Sequence, residues 1–117
     1  MDRRIELVIS LLENDTSRAW DTHTLATLVN LSPSRFRHLF KHETGTSPRQ
    51  YLRELRLRKA GVLLATTFLS LKEIAEAIGV VSLTHLTKDF KERHGMTTRE
   101  FRIAARMAAL KSKSKKH

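Results

Sequence analysis

Ten side chains of this 117-residue chain fall into two matched sets. The first is Ser34, Arg35, Arg37, His38 and Lys41. The second is Thr84, His85, Thr87, Lys88 and Lys91, each fifty positions after its counterpart. A guanidinium can bond guanine O6 and N7 in parallel. Hydroxyls and imidazoles make short hydrogen bonds to bases or phosphates, and ammonium groups hold phosphates without regard to sequence. The implied chemistry is recognition of a polyanion with readable edges.

Each set needs a helix to present it. Over 33–43, Phe36, Leu39 and Phe40 form an apolar face. Ser34, Arg37, His38 and Lys41 project the other way, with Arg35 on a flank. Over 83–93, Leu86 and Phe90 are the apolar face; Thr84, Lys88 and Lys91 project outward, flanked by His85 and Thr87. Leu83 is assigned to the core, with a thymine methyl as its alternative contact. A single basic helix face is usually just a solvated surface. Two matched faces within one repeat favour a groove.

The repeat extends upstream. Ser32, Phe40, Lys41 and Gly45 recur as Ser82, Phe90, Lys91 and Gly95. Leu25-Ala26 matches Ile74-Ala75, and Asn30 matches Gly79, at an offset of forty-nine. Each copy reads as short helix, tight turn, second helix. That is the helix-turn-helix shape, whose second helix enters the major groove of DNA. Ala26 and Ala75 let the two helices of each unit approach closely. The two exposed faces differ in content, so each is expected to read a different half-site.

Composition agrees. The formal net charge is +10, which speaks to partners rather than to fold. Taking the four lysines of the final KSKSKKH from that +10 leaves +6, so the body is basic without its tail. Nucleic acid is the leading partner; an anionic membrane surface or an acidic protein comes second. There are no cysteines, which excludes disulfides, thiolate zinc sites and thiol catalysis. No apolar run approaches the roughly 20 residues needed to cross a bilayer. The reading is a soluble intracellular protein with no membrane partner.

The punctuation is that of helices. Ser32-Pro33 and Ser47-Pro48 each place a serine cap before a first-turn proline. Ser70 with Glu73, and Thr97 with Glu100, have capping-box spacing. Gly45, Gly79 and Gly95 stand where helices should end in a left-handed residue, and Asn30 takes that role in the first copy. No alternating strand pattern appears. The spacing predicts seven helices near 4–14, 23–30, 33–43, 48–65, 71–78, 83–93 and 98–109.

The first helix should bury Ile5, Val8, Ile9 and Leu12, with Trp20 plugging the first lobe. The fourth changes face midway. Tyr51, Leu52 and Leu55 fall on one side, Leu57, Ala60 and Leu64 nearly opposite, and Val62 breaks the scheme. It reads as a rod of roughly 27 Å joining two lobes. The recognition helices would then stand about one DNA turn apart, roughly 34 Å. Of its basic residues, Arg53, Arg58 and Lys59 are candidates for phosphate contact, and Arg56 is assigned a structural role. The expected organisation is an N-terminal helix-turn-helix lobe over 1–46, the linker helix over 47–66, a C-terminal lobe over 67–110 and a disordered basic tail over 111–117.

From Leu25 to Arg102 the chain resembles the DNA-binding domain of the AraC/XylS family of bacterial transcription regulators. The run LSPSRFRHLFKHETGTSPRQYL is similar to the family's first recognition helix and linker entry, RLRKAGVLL to its linker, and IAEAIGVVSLTHLTKDFKERHGMTTREFR to its second signature. Three positions depart from the family pattern. Val80 and His85-Leu86 stand where aromatics are usual, and Thr98 where proline is usual. They predict a second lobe packed less tightly or reading its half-site more weakly. The resemblance implies an all-α fold of two three-helix, homeodomain-like lobes bridged by a long helix. It also implies a cytoplasmic, nucleoid-associated activator that binds double-stranded DNA as a monomer, at asymmetric sites spanning successive major grooves, and touches RNA polymerase. It resembles the short single-domain members; the alternative is the DNA-binding fragment of a longer effector-responsive regulator.

An enzyme is not expected, and neither cofactor nor metal is implied. His38 and His42 have the four-residue spacing of a zincin pair, but no glutamate base lies between them and Lys41 would oppose a cation. Related domains fused to DNA-alkylation repair enzymes depend on a methyl-accepting cysteine, which is lacking here. A non-specific architectural or RNA-binding protein would stack bases on exposed aromatics, whereas nearly all of these aromatics fall at core positions. A protein-only adaptor would bind its partner without DNA.

Overall fold

The structure, a computed structural model, describes residues 1–114. Among them the chain is wholly helical: α1 (Arg3–Asn14), α2 (Thr22–Leu28), α3 (Pro33–Thr44), α4 (Pro48–Thr66), α5 (Leu71–Ile78), α6 (Leu83–His94) and α7 (Thr98–Ser114). It divides into two compact units, Met1–Arg56 and Leu57 onward, with the division inside α4.

Unit 1 packs α1, α2, α3 and the start of α4 around Ile5, Val8, Leu12, Leu25, Phe36 and Phe40, joined by Leu52 and Leu55. Unit 2 packs the end of α4 with α5, α6 and α7 around Leu57, Ala60, Leu64, Ile74, Ile78, Leu86 and Phe90. The change of face along α4 thus assigns its apolar residues to two separate cores, while Val62 is 55% exposed. Gly61 is buried beside Phe101, whose ring a Cβ at this position would meet at 3.4 Å. Ile9 and Leu39, expected inside, are half-buried at the edge of the first core.

The caps form as the sequence requires. Ser32 and Ser82 each accept a hydrogen bond from the backbone N–H three residues on, both at 3.2 Å. Both capping boxes close: Glu73 with Ser70, and Glu100 with Thr97. Asn30 takes a left-handed conformation at φ 56°, and Gly79 at φ 91°. Each ends the first helix of its helix-turn-helix, where a left-handed residue releases the chain from the helical path.

Two boundaries differ from expectation by more than one residue. α2 stops at Leu28 rather than 30, because Val29 and Asn30 donate to Ala26 and Thr27 in a tightened last turn, each at 3.2 Å. At the other end, α7 runs through 109 to Ser114. Lys111 and Lys113, expected in a disordered tail, form its last turn, where cations offset the negative end of the helix dipole. Residues 115–117, the remainder of that tail, lie outside the described residues.

Candidate nucleic-acid interface

Each unit holds its second helix by the same devices. Leu31 N–H donates to Ala26 O at 3.0 Å, and Val80 N–H to Ala75 O at 2.9 Å. Both bonds fold the turn back onto a buried alanine, 0% exposed at Ala26 and 3% at Ala75. Beneath the recognition helices the aromatic geometry repeats. Phe40 meets Tyr51 edge-on at 5.5 Å, and Phe90 meets Phe101 edge-on at 5.2 Å. Edge-to-face pairs of this kind set a preferred ring orientation. They fix the rotation of α3 and α6 about their own axes, and hence which side chains face outward.

The outward set is the one read from the sequence. Ser34, Arg35, Arg37, His38 and Lys41 are all exposed on α3, and Thr84, His85, Thr87, Lys88 and Lys91 are all exposed on α6. Neither Arg37 nor Lys88 has an ion-pair partner among the described residues. Thr87 donates its hydroxyl to Thr84 O at 3.0 Å, which leaves its oxygen free to accept. Leu83, assigned to the core, is instead 39% exposed at the first position of α6. Val80, in the turn before it, packs against the second core, and Leu83 is not part of that cluster.

Arg56 is structural. Its Nε donates to Thr16 O at 2.9 Å and its Nη2 to Arg18 O at 3.2 Å, fastening the α1–α2 loop to α4. Burial pulls its pKa below the usual arginine value. Unit 2 uses the same device, which the sequence reading missed. Arg106, fifty positions on, donates to Thr67 O at 3.0 Å, and Arg102 reaches Leu64, Thr67 and Leu69 carbonyls. Extending the fifty-residue offset from the exposed polar positions to Arg56 would have found Arg106. Arg102 has no counterpart that would flag it.

No group of three or more metal-ligating side chains is brought together among the described residues. His38 and His42 are both exposed, with no third ligand. No described helix is long and apolar enough to cross a membrane.

Comparison with known proteins matches residues 25–104 to the family described as helix-turn-helix domain. A solved structure titled as a transcriptional regulator with an AraC-type DNA-binding domain, from Chromobacterium violaceum, superposes with a TM-score of 0.81 at 31% identity, over 88% of this chain and 92% of that one. This chain belongs to the AraC-type helix-turn-helix family. The DNA-binding domain of AdpA, solved in complex with a target DNA, superposes at a TM-score of 0.85 with 28% identity, over 90% of this chain and 95% of that one. Among curated relatives, the transcriptional activator RclR of Escherichia coli is 31% identical over 91% of this chain. The match takes up 37% of RclR, and between 27% and 35% of other relatives.

The departures from the AraC-type pattern are absorbed locally. Val80 packs half-buried against the second core, and Leu86 is 1% exposed where a larger ring is usual. Thr98 opens α7 in place of proline, and the Thr97–Glu100 box supplies the N-terminal bonding.

Proposed function

We propose that the chain is a sequence-specific, double-stranded-DNA-binding regulator of transcription, acting by binding rather than catalysis. α3 and α6 enter successive major grooves of one asymmetric site, one helix per half-site. Arg35, Arg37, His38 and Ser34 meet bases or nearby phosphates in one half; Thr84, His85, Thr87 and Lys88 do so in the other. Lys41 and Lys91 hold phosphates. The observation that carries this reading is the pair of exposed polar faces at matching positions of two helix-turn-helix units. The AdpA domain, which was solved on a target DNA, supports it.

One chain supplies both half-sites, so it binds as a monomer. Activation through contact with RNA polymerase fits the name of RclR as an activator. Such work places the chain in the bacterial cytoplasm, at the nucleoid. A second reading, the DNA-binding part of a longer effector-responsive regulator, is favoured by the greater length of the relatives.

Charge reversal tests the assignment. Arg37→Glu combined with Lys88→Glu should abolish DNA binding and leave helical content and melting unchanged. Unaltered DNA affinity in a folded double variant would instead favour a protein-only adaptor.

A further inference from the structure

We infer that Val81 and Leu83 read thymine methyl groups in the half-site engaged by α6. The inference rests on the DNA reading above and adds a base class to it.

The two helix-turn-helix turns share one backbone bond and one cap. Leu31 and Val80 make the same backbone bond to the buried alanine, and both pack against their own core. Ser32 and Ser82 both cap the helix that follows. In the first copy Ser32 follows Leu31 directly. In the second copy one extra residue intervenes, and it is Val81. The core gains nothing from it, since Val81 is 100% exposed. Two residues on, Leu83 opens α6 at 39% exposure, where α3 has the half-buried Pro33.

A lone exposed apolar residue needs no explanation. Here two of them sit at the leading end of a recognition helix, continuous with Thr84, His85 and Lys88. The leading residues of such a helix are those that meet base edges. The apolar feature on those edges is the thymine C5-methyl group, which projects into the major groove. Covering it removes apolar surface of both partners from water. The corresponding end of α3 carries Ser34 together with Arg35 and Arg37, whose guanidinium groups are suited to guanine. The two half-sites then differ in kind, with guanine contacts on one side and methyl contacts on the other.

The test begins with a duplex selected by the chain from random DNA. Each thymine is then replaced in turn by deoxyuridine, which deletes the methyl and keeps the hydrogen-bonding edge. The expected result is a loss of about fourfold in affinity per contacted methyl, at one or two positions of a single half-site. Val81→Ala or Leu83→Ala should erase that penalty. Val81 is wholly exposed, so Val81→Ala keeps the fold whatever happens at Leu83. Selective binding that is indifferent to deoxyuridine everywhere overturns the inference and leaves the DNA reading standing. A penalty that persists undiminished in both alanine variants overturns the assignment to these residues. Absence of any preference among duplexes overturns both.

Discussion

Unit 1 and unit 2 build the same motif on differently finished cores. In unit 1, Trp20 packs half-buried against the core, and its indole N–H donates to Asp15 O at 2.8 Å. Arg18 lies 5.0 Å from its ring centre. At the matching loop of unit 2, Arg106 lies 4.3 Å from the ring of Phe68, but Phe68 is 90% exposed. Phe36 fills the first core where Leu86 fills the second. Unit 2 also exposes Ile103, Met107 and Leu110 along α7. Both recognition helices nevertheless keep their caps, their buried alanines and their edge-on aromatic pairs. The helix-turn-helix therefore depends on a few fixed contacts, and the surrounding core is free to diverge. The departure positions Val80 and Leu86 themselves pack against the second core, and the uncovered apolar surface lies elsewhere, on Phe68 and along α7.

Core truncation should produce the largest effects. Phe40→Ala and Phe90→Ala each remove a wholly buried ring and should cost about 3–5 kcal/mol, read by chemical denaturation. Comparable losses would show that both units rest on the shared phenylalanine; a small loss in one would break the equivalence. The loops should then separate the units. Trp20→Ala is expected to cost about 2–3 kcal/mol, the partial burial of its ring setting it below a full core truncation. Phe68→Ala should stay below about 1 kcal/mol, because it loses only an exposed cation–π contact.

On DNA, Arg37→Ala should cost about 1–3 kcal/mol and relax preference at one base position. Equal base discrimination in wild type and variant would refute a base contact. Lys41→Ala and Lys91→Ala should weaken all sequences alike, each lowering the slope of log affinity against log salt by about one unit. A difference between the two lysines would show that the units share phosphate load unequally.

The smallest effect concerns acid. Unit 1 caps α1 and α2 with Asp2 and Asp21, whereas unit 2 uses the glutamates of its capping boxes. Backbone N–H donation from Ser70 holds the Glu73 carboxyl below the usual glutamate value, and donation from Thr97 does the same for Glu100. Their contribution is complete above the ordinary glutamate value of about 4.5, and it is lost as pH falls through the lower folded value. Glu100→Gln should flatten the acid limb of a melting-temperature profile. An unchanged limb would exclude this box as a source of acid sensitivity.

Much of this was readable before any coordinates. Proline, serine and glycine punctuation placed the helix starts within a residue, because caps are local chemistry. The exposure of the ten polar side chains was legible because buried residues four apart, Phe36 and Phe40 in α3 and Leu86 and Phe90 in α6, leave little choice of outward face. What escaped depended on context beyond one helix. Periodicity could not tell that Leu83, at the first position of α6, would be left 39% exposed. The staple of Arg102 ends on backbone carbonyls and has no counterpart fifty positions earlier, so nothing in the sequence flagged it, whereas Arg106 lay within reach of the offset from Arg56. The reach of α7 past 109 was hidden because a lysine-rich run reads as a tail unless its helix continues into it.

The account stands or falls on what the whole chain selects from a pool of random duplex DNA. It predicts enrichment of two short blocks of unlike sequence, centred about 10 base pairs apart, with Arg37→Ala degrading only one of them. Enrichment of a single block, of a palindrome, or of nothing would contradict the claim that both helices read one duplex.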